Sequence, residues 1–233
     1  MSTDPFVRTA RTTGLLYLAI ALTGLLGHLV IRSQLFDADD PATTLAQLTD
    51  HESLARLGIG LELGIVLTQA LVGLWFYRLF RSVDSFAAGS LVAFSFVNAI
   101  VMLISAAFLA TALDVALDPA FAPGGDAAAT SQLMYAVSDN LWITGEIFFG
   151  LWLVPMGWLV LLSGWMPRPM GWILIVGGIG YVLGPFLAYL TDVPVAADLV
   201  VIPATIGEFW MIGYLLVRGV TVAAPASAKA YTR

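Results

Sequence analysis

Six long stretches of the chain, near 13–31, 57–77, 86–113, 140–163, 170–190 and 199–217, are dominated by apolar residues, and the charged residues collect mostly between them. At about 1.5 Å per residue, each is long enough to cross roughly 30 Å of hydrocarbon as a helix. None shows the period-two alternation of a barrel strand. Backbone polar groups in lipid must be satisfied within the segment, so helices are the structure this pattern predicts. The expected fold is all-α: a polytopic membrane protein with six transmembrane helices in one bundle. The bundle spans 13–218, between a short segment 1–12 and a disordered tail 219–233 that is polar at its end. The opening order of positive then apolar residues resembles a signal peptide. The apolar run is long and no small-residue cleavage site follows it, so it reads as a retained first span.

Charge orients the bundle. Arg8 and Arg11, Arg78 and Arg81, Arg168, and then Arg218, Lys229 and Arg233 all fall on one side, which the positive-inside rule makes cytoplasmic for both termini. The opposite loops carry Asp37, Asp39, Asp40, Asp50, Glu52, Asp118, Asp126, Asp192 and Asp198, with only Arg32 and Arg56 positive. The first outer loop, SQLFDADDPATTLAQLTDHESLA, is partly amphipathic and reads equally as a surface-lying segment or a solvated connector. The third connection, DPAFAPGGDAAATSQ, reads as an irregular loop.

Composition narrows the function classes. Charged residues make up 11% of the chain against the roughly 25% of a soluble domain, and the net charge is -6. No basic cluster is present for nucleic acid. The absence of Cys removes disulfides, thiolate metal sites and a catalytic thiol. The two histidines, His28 and His51, form no HExxH pair, so no metal or cofactor is called for, and no catalytic motif such as GxSxG or a Walker loop occurs. Gly60 with Gly64 and Gly180 with Gly184 read as close-packing pairs. Trp142, Trp158, Trp165, Trp172, Tyr181 and Tyr189, in or near span ends, read as interfacial anchors.

The informative residues are the polar ones inside the spans. His28 falls near the outer face, Glu62 and Glu146 roughly 9–10 Å below it, and Asn98 and Glu208 closer to the midplane. Residues seven apart on a helix differ by only about 20° in direction. Asp139 therefore shares a face with Glu146, Glu62 with Gln69, and Tyr17 with Gly24 and His28. A charge at the helix centre costs about 2.5–3.5 kcal/mol, so compensation is expected. The reading pairs Arg56, turned inward, with Glu146 or Glu208. The candidate pocket is thus Glu146, Glu208, Glu62, Arg56, His28, Asn98, Asp139 and Tyr17. It serves either as a hydrogen-bond pin that fixes packing or as a hydrated site for a proton, a cation or a small polar ligand.

The segments GLLYL (14–18), ESLARLGI (52–59), LWFYRLFRSVD (74–84), GEIFFGLWLVPMGWLVLLSGWMPRPMGWILIVGGIGYVLG (145–184) and GEFW (207–210) together resemble the domain of unknown function 4386 family, across nearly the whole chain. The resemblance implies a bacterial six-helix plasma-membrane protein and assigns no activity. The positions that carry it are Tyr17, Arg56, Gly58, Phe149, Gly150, Pro167, Arg168, Gly171, Gly180, Tyr181 and Glu208. No acid is fixed at 146 in that pattern, which shifts weight to Arg56 and Glu208. Three functions compete at this point. One is a proton- or cation-linked transporter or channel component, with Pro155, Pro185 and Pro203 as kinks. Another is a non-catalytic regulatory or assembly subunit that binds a membrane-protein partner or a second copy of itself. The third is an intramembrane enzyme acting on lipid through Glu146, Glu208 and His28.

Overall fold

The computed structural model describes residues 5–191 and 199–220. Asp192, Asp198, Lys229, Arg233 and nearly all of the expected tail lie outside the described residues. Among those described there is no strand. Helix α1 runs Pro5–Leu35, α2 Pro41–Asp50, α3 Glu52–Phe80, α4 Ser85–Leu117, α5 Ala127–Ser163, α6 Arg168–Leu190 and α7 Ile202–Val217. Helices α1, α3, α4, α5 and α6 are long and apolar enough to cross a membrane, while α7 has 16 residues.

Local chemistry sets the helix ends. Asp84 and Asp126 cap α4 and α5 by accepting bonds from backbone N–H groups of the first turn. The alanines after Asp126 are strong helix formers. The stretch 127–132, expected as loop, is consequently the first turn and a half of a 37-residue α5, and only 118–126 is irregular. Helix α5 stops at Gly164, whose φ of 66° is open to glycine and costly for other residues. Pro155 and Pro185 lie inside α5 and α6. Pro203 instead stands in the first turn of α7, where no N–H is needed, so it makes no kink there.

The six long helices form a closed ring, each packed on the next in the order α1, α3, α4, α5, α6, α7, with α7 returning to α1. Burial from water gives helices in lipid little attraction for one another, and close packing supplies it instead. A Cβ at Gly150 would come within 2.3 Å of the Gly178 carbonyl oxygen, and one at Gly157 within 2.4 Å of that of Gly171. These glycines recur every seven residues on both helices and interlock α5 with α6. On the other side of α6, a Cβ at Gly177 would fall 2.3 Å from the Ala204 nitrogen of α7. Gly180 packs against Val200 and Gly64 against Thr23, but Gly60 faces open space, so the first pair is only half a packing contact.

One end of the ring is filled by aromatics. Tyr17 meets Trp152 edge-on at 5.2 Å and Phe76 at 5.7 Å, Phe76 stacks on Phe80 at 6.2 Å, and Phe80 stacks on Trp165 at 5.7 Å. At the opposite end α2 docks onto the bundle, with Leu48 fully buried in a cluster that includes Ile31, Leu35, Leu109 and Tyr135. The connection 33–55 is therefore a folded element docked on the bundle rather than a free connector. Its Leu48 and Thr44 face protein, and Gln132 straps the chain before it by bonding the carbonyls of Asp37 and Ala38.

Candidate functional site

Two polar assemblies occupy the space between the aromatic end and the α2 end. The one nearer the α2 end links four helices. The Arg32 guanidinium on α1 lies 3.0 Å from Asp139 on α5 and donates to Ser138 at 2.5 Å. Ser138 and Ser105 hydroxyls are 2.7 Å apart, and Ser105 donates to Glu62 at 2.5 Å. Arginine only donates. The row of contacts therefore starts from a donor at Arg32 and runs through the Ser138 and Ser105 hydroxyls to Glu62. The Trp142 indole also donates to Glu62, at 2.8 Å, and the His28 ring stacks on Trp142 at 4.2 Å. The space left among these groups is only about 10 Å³, near the smallest that admits one water. This assembly is packed shut.

The deeper assembly is open. A cavity of about 560 Å³ lies inside the ring, with α1, α5, α6 and α7 as its main walls. On its inner side Tyr17 donates to Glu208 at 2.6 Å, and Tyr181 approaches the second carboxylate oxygen at 3.5 Å. Glu146 reaches across to α6, where its Oε2 would lie 2.7 Å from a Cβ at Gly184, so the missing side chain there makes room for the carboxylate. Asp139, His28 and Trp142 form the wall toward the α2 end and connect the cavity to the row that ends at Glu62. Among the described residues that line the cavity there is no Lys or Arg.

The structure thus brings Tyr17, His28, Asp139, Glu146 and Glu208 to one cavity, and Glu62 to the packed row beside it. Asn98 is fully buried and bonds the Gly145 carbonyl at 3.4 Å, pinning α4 to α5 away from the cavity lining. Arg56 is a correction. It sits one turn into α3, pairs with Glu52 at 2.7 Å and is 61% exposed. A flexible side chain at a helix end, four residues from an acid, reaches water more cheaply than it turns inward. Arg32, which the loop count assigned to the outer surface, is the interior cation instead, 8% exposed. The signal was there: Arg32 follows His28 by four residues and shares its face. Trp142, Trp165 and Tyr181 likewise turn inward, whereas Trp158, Trp172 and Tyr189 stay exposed. Trp142 was detectable as a member of the stripe 139, 142, 146 and 149.

In α1 the stretch Leu25–Ile31 winds as a π-helix, closed where the Arg32 N–H bonds the Gly27 carbonyl five residues back. Such wide turns recur at functional sites. Gly24, Leu25, His28 and Leu29 from this region all line the cavity.

A ring of long apolar helices around an interior acidic cavity defines a multi-pass α-helical membrane protein. Residues 12–219 match the family described as Domain of unknown function (DUF4386), and the chain belongs to that family. No curated protein and no solved structure matches it.

Proposed function

We propose that the protein binds a proton or a small cation in this cavity and acts as a proton- or cation-linked transporter or channel component. The observation that carries the reading is the cavity of about 560 Å³ with Glu146, Glu208 and Asp139 on its walls and no described Lys or Arg among its lining. The single interior arginine is committed to Asp139 and Ser138 at the outer wall, which leaves the Glu208 end acidic. A packed, hydrogen-bonded row explains Glu62 as a structural pin. The same explanation does not extend to Glu208, whose carboxylate borders open volume.

The reading also takes α7 as a sixth span with both termini in the cytoplasm of a bacterial plasma membrane. Helix α7 itself reaches about 24 Å at 1.5 Å per residue, and local thinning of the bilayer takes up its shortfall against roughly 30 Å of hydrocarbon. With Arg32 drawn into the ring, Arg56 is the one arginine left on the acidic side, which strengthens the charge asymmetry behind the orientation. The chain has no cysteine, so single cysteines report topology cleanly. A membrane-impermeant thiol reagent applied to intact cells should label Ser53→Cys and leave Ser82→Cys untouched, and the opposite pattern overturns the orientation.

Function is tested in proteoliposomes. Imposed proton and cation gradients should drive flux or specific binding in the wild type, with a large loss in Glu208→Gln and retention in Arg56→Gln. A well-folded protein that neither binds nor moves protons or cations under any gradient refutes the proposal.

A further inference from the structure

We infer that the occupant of this cavity is an amphiphilic organic cation: its ammonium head lies against Glu208 and the aromatic wall, and its hydrocarbon chain leaves sideways between α1 and α7. This rests on the acidic-cavity reading above and names the class of cation. The first ground is the lining. A hard metal cation takes six or more oxygen ligands. Here the carboxylates share the lining with a run of rings, with Trp142 stacked on Phe149 at 6.4 Å and Phe149 tilted against Tyr181 at 6.0 Å. Aromatic faces beside a carboxylate recognise organic ammonium groups. Size points the same way, since about 560 Å³ is the volume of a site for a drug-sized molecule.

The second ground is the position of the mouth. Helices α1 and α7 touch where Gly14 lies against Leu215 and Leu216, and Tyr17 bonds Glu208 one turn further on. Phe209 of α7, next to Glu208 at that level, and Leu25 and Leu29 of α1, two to three turns beyond it, line the cavity while being 54%, 46% and 62% exposed. Residues that both line the cavity and face outward mark its opening: these three are apolar, while exposed Thr205 and the partly exposed Asp139 carboxylate give the rim a polar edge. An amphiphile matches both parts of such a rim. A chain-bearing cation leaves its tail on the rim and carries only its head inward.

The experiment uses the full chain in nanodiscs and a dodecyltrimethylammonium probe with a diazirine near the chain end. A dodecanol probe bearing the same diazirine serves as control. After irradiation, adducts of the cation should concentrate on Leu25, Leu29 and Phe209, about tenfold above those of the alcohol, and fall to the alcohol level in Glu208→Gln. Because Glu208→Gln could fail to fold, Leu29→Trp provides a second arm at an exposed site. It should cut adducts of the tailed cation at Leu25 and Phe209 while tetramethylammonium binding persists. Equal labelling by cation and alcohol overturns the inference, as do adducts confined to outward positions such as Leu67 and Trp172. If tetramethylammonium binds and the tailed cation does not, this inference falls and the acidic-cavity reading stands. If neither cation binds, both fall.

Discussion

The interior position of Arg32 gives the sharpest test of the architecture. Asp139→Asn would leave Arg32, 8% exposed, with Ser138 and the Tyr135 ring face 5.8 Å away as its remaining partners. Stripping the partner from a fully buried charge costs about 3–5 kcal/mol. Asp139 is itself 41% exposed, so solvent screens the pair and the expected cost is about half of that, about 2 kcal/mol. Arg32→Gln breaks both the ion pair and the start of the row to Glu62 and should cost a similar amount. The double variant should cost about as much as either single change, giving a coupling energy of about 2 kcal/mol in the cycle. The control is Arg56→Gln. That pair is exposed on both sides, at 61% and 45%, and its loss should stay within about 0.5 kcal/mol. Reversible unfolding of the purified protein in mixed mild detergent and SDS, followed by tryptophan fluorescence, measures all four. If Arg56→Gln costs as much as Arg32→Gln, or if the Arg32–Asp139 coupling is below about 0.5 kcal/mol, the arginine inside the ring has been misassigned.

Tyr17→Phe removes the 2.6 Å bond to Glu208 and should lower stability by about 1–2 kcal/mol in the same assay while leaving the edge-on ring contacts intact. Gly177→Ala forces a Cβ to within 2.3 Å of the α7 backbone and should cost at least about 2–3 kcal/mol, whereas Gly60→Ala meets open space and should be neutral or slightly stabilising. Gln69 is fully buried and neither of its side-chain amide atoms has a protein partner, so Gln69→Leu should stabilise the fold by about 1 kcal/mol. The Asp40 carboxyl is held below the ordinary range by the Thr43 hydroxyl and by the backbone N–H groups of Thr43 and Ala42. A lowered folded-state value means that its support of α2 is complete at neutral pH and is lost as the pH falls through that value. Amide exchange in 41–50 should therefore rise on acidification, and in Asp40→Asn that acid-dependent rise should be blunted.

The apolar helices were legible in the sequence because lipid leaves so few alternatives: a long uncharged run must satisfy its backbone as a helix. Facial stripes were legible as well. Gly58, Glu62, Gln69 and Gly73 face inward together on α3, and Asp139 with Glu146 on α5. The choice between Arg32 and Arg56 was not, because counting loop charges treats every arginine near a span end as solvated. Arg32 reaches its carboxylate across 107 residues of sequence and Tyr17 reaches Glu208 across 191, and no local pattern encodes that α7 returns to α1. The cavity is the product of that closure. Its existence depends on which helices are neighbours, whereas its acidity depends only on which residues face inward.

Tyr17 stands at the boundary between the two halves of the ring. Its face packs on Phe76 and Trp152 in the aromatic plug, and its hydroxyl holds Glu208 in the cavity. Any solute that crosses must part the plug, and the ring offers unequal seams for doing so. Helices α5 and α6 meet backbone to backbone at Gly150, Gly157, Gly171 and Gly178, a contact with no slack. At the α1–α7 seam, Gly14 meets the Leu215 and Leu216 side chains, and the Tyr17 bond to Glu208 lies beside it. On the proposed reading, a cation drawn to Glu208 shares that carboxylate with Tyr17, so occupancy and the strength of the α1–α7 seam would be coupled at one residue. A ligand shifts a conformational equilibrium only by its difference in affinity for the two states. In the proposed transporter that difference would arise at Glu208, from how strongly Tyr17 and the occupant each hold its carboxylate.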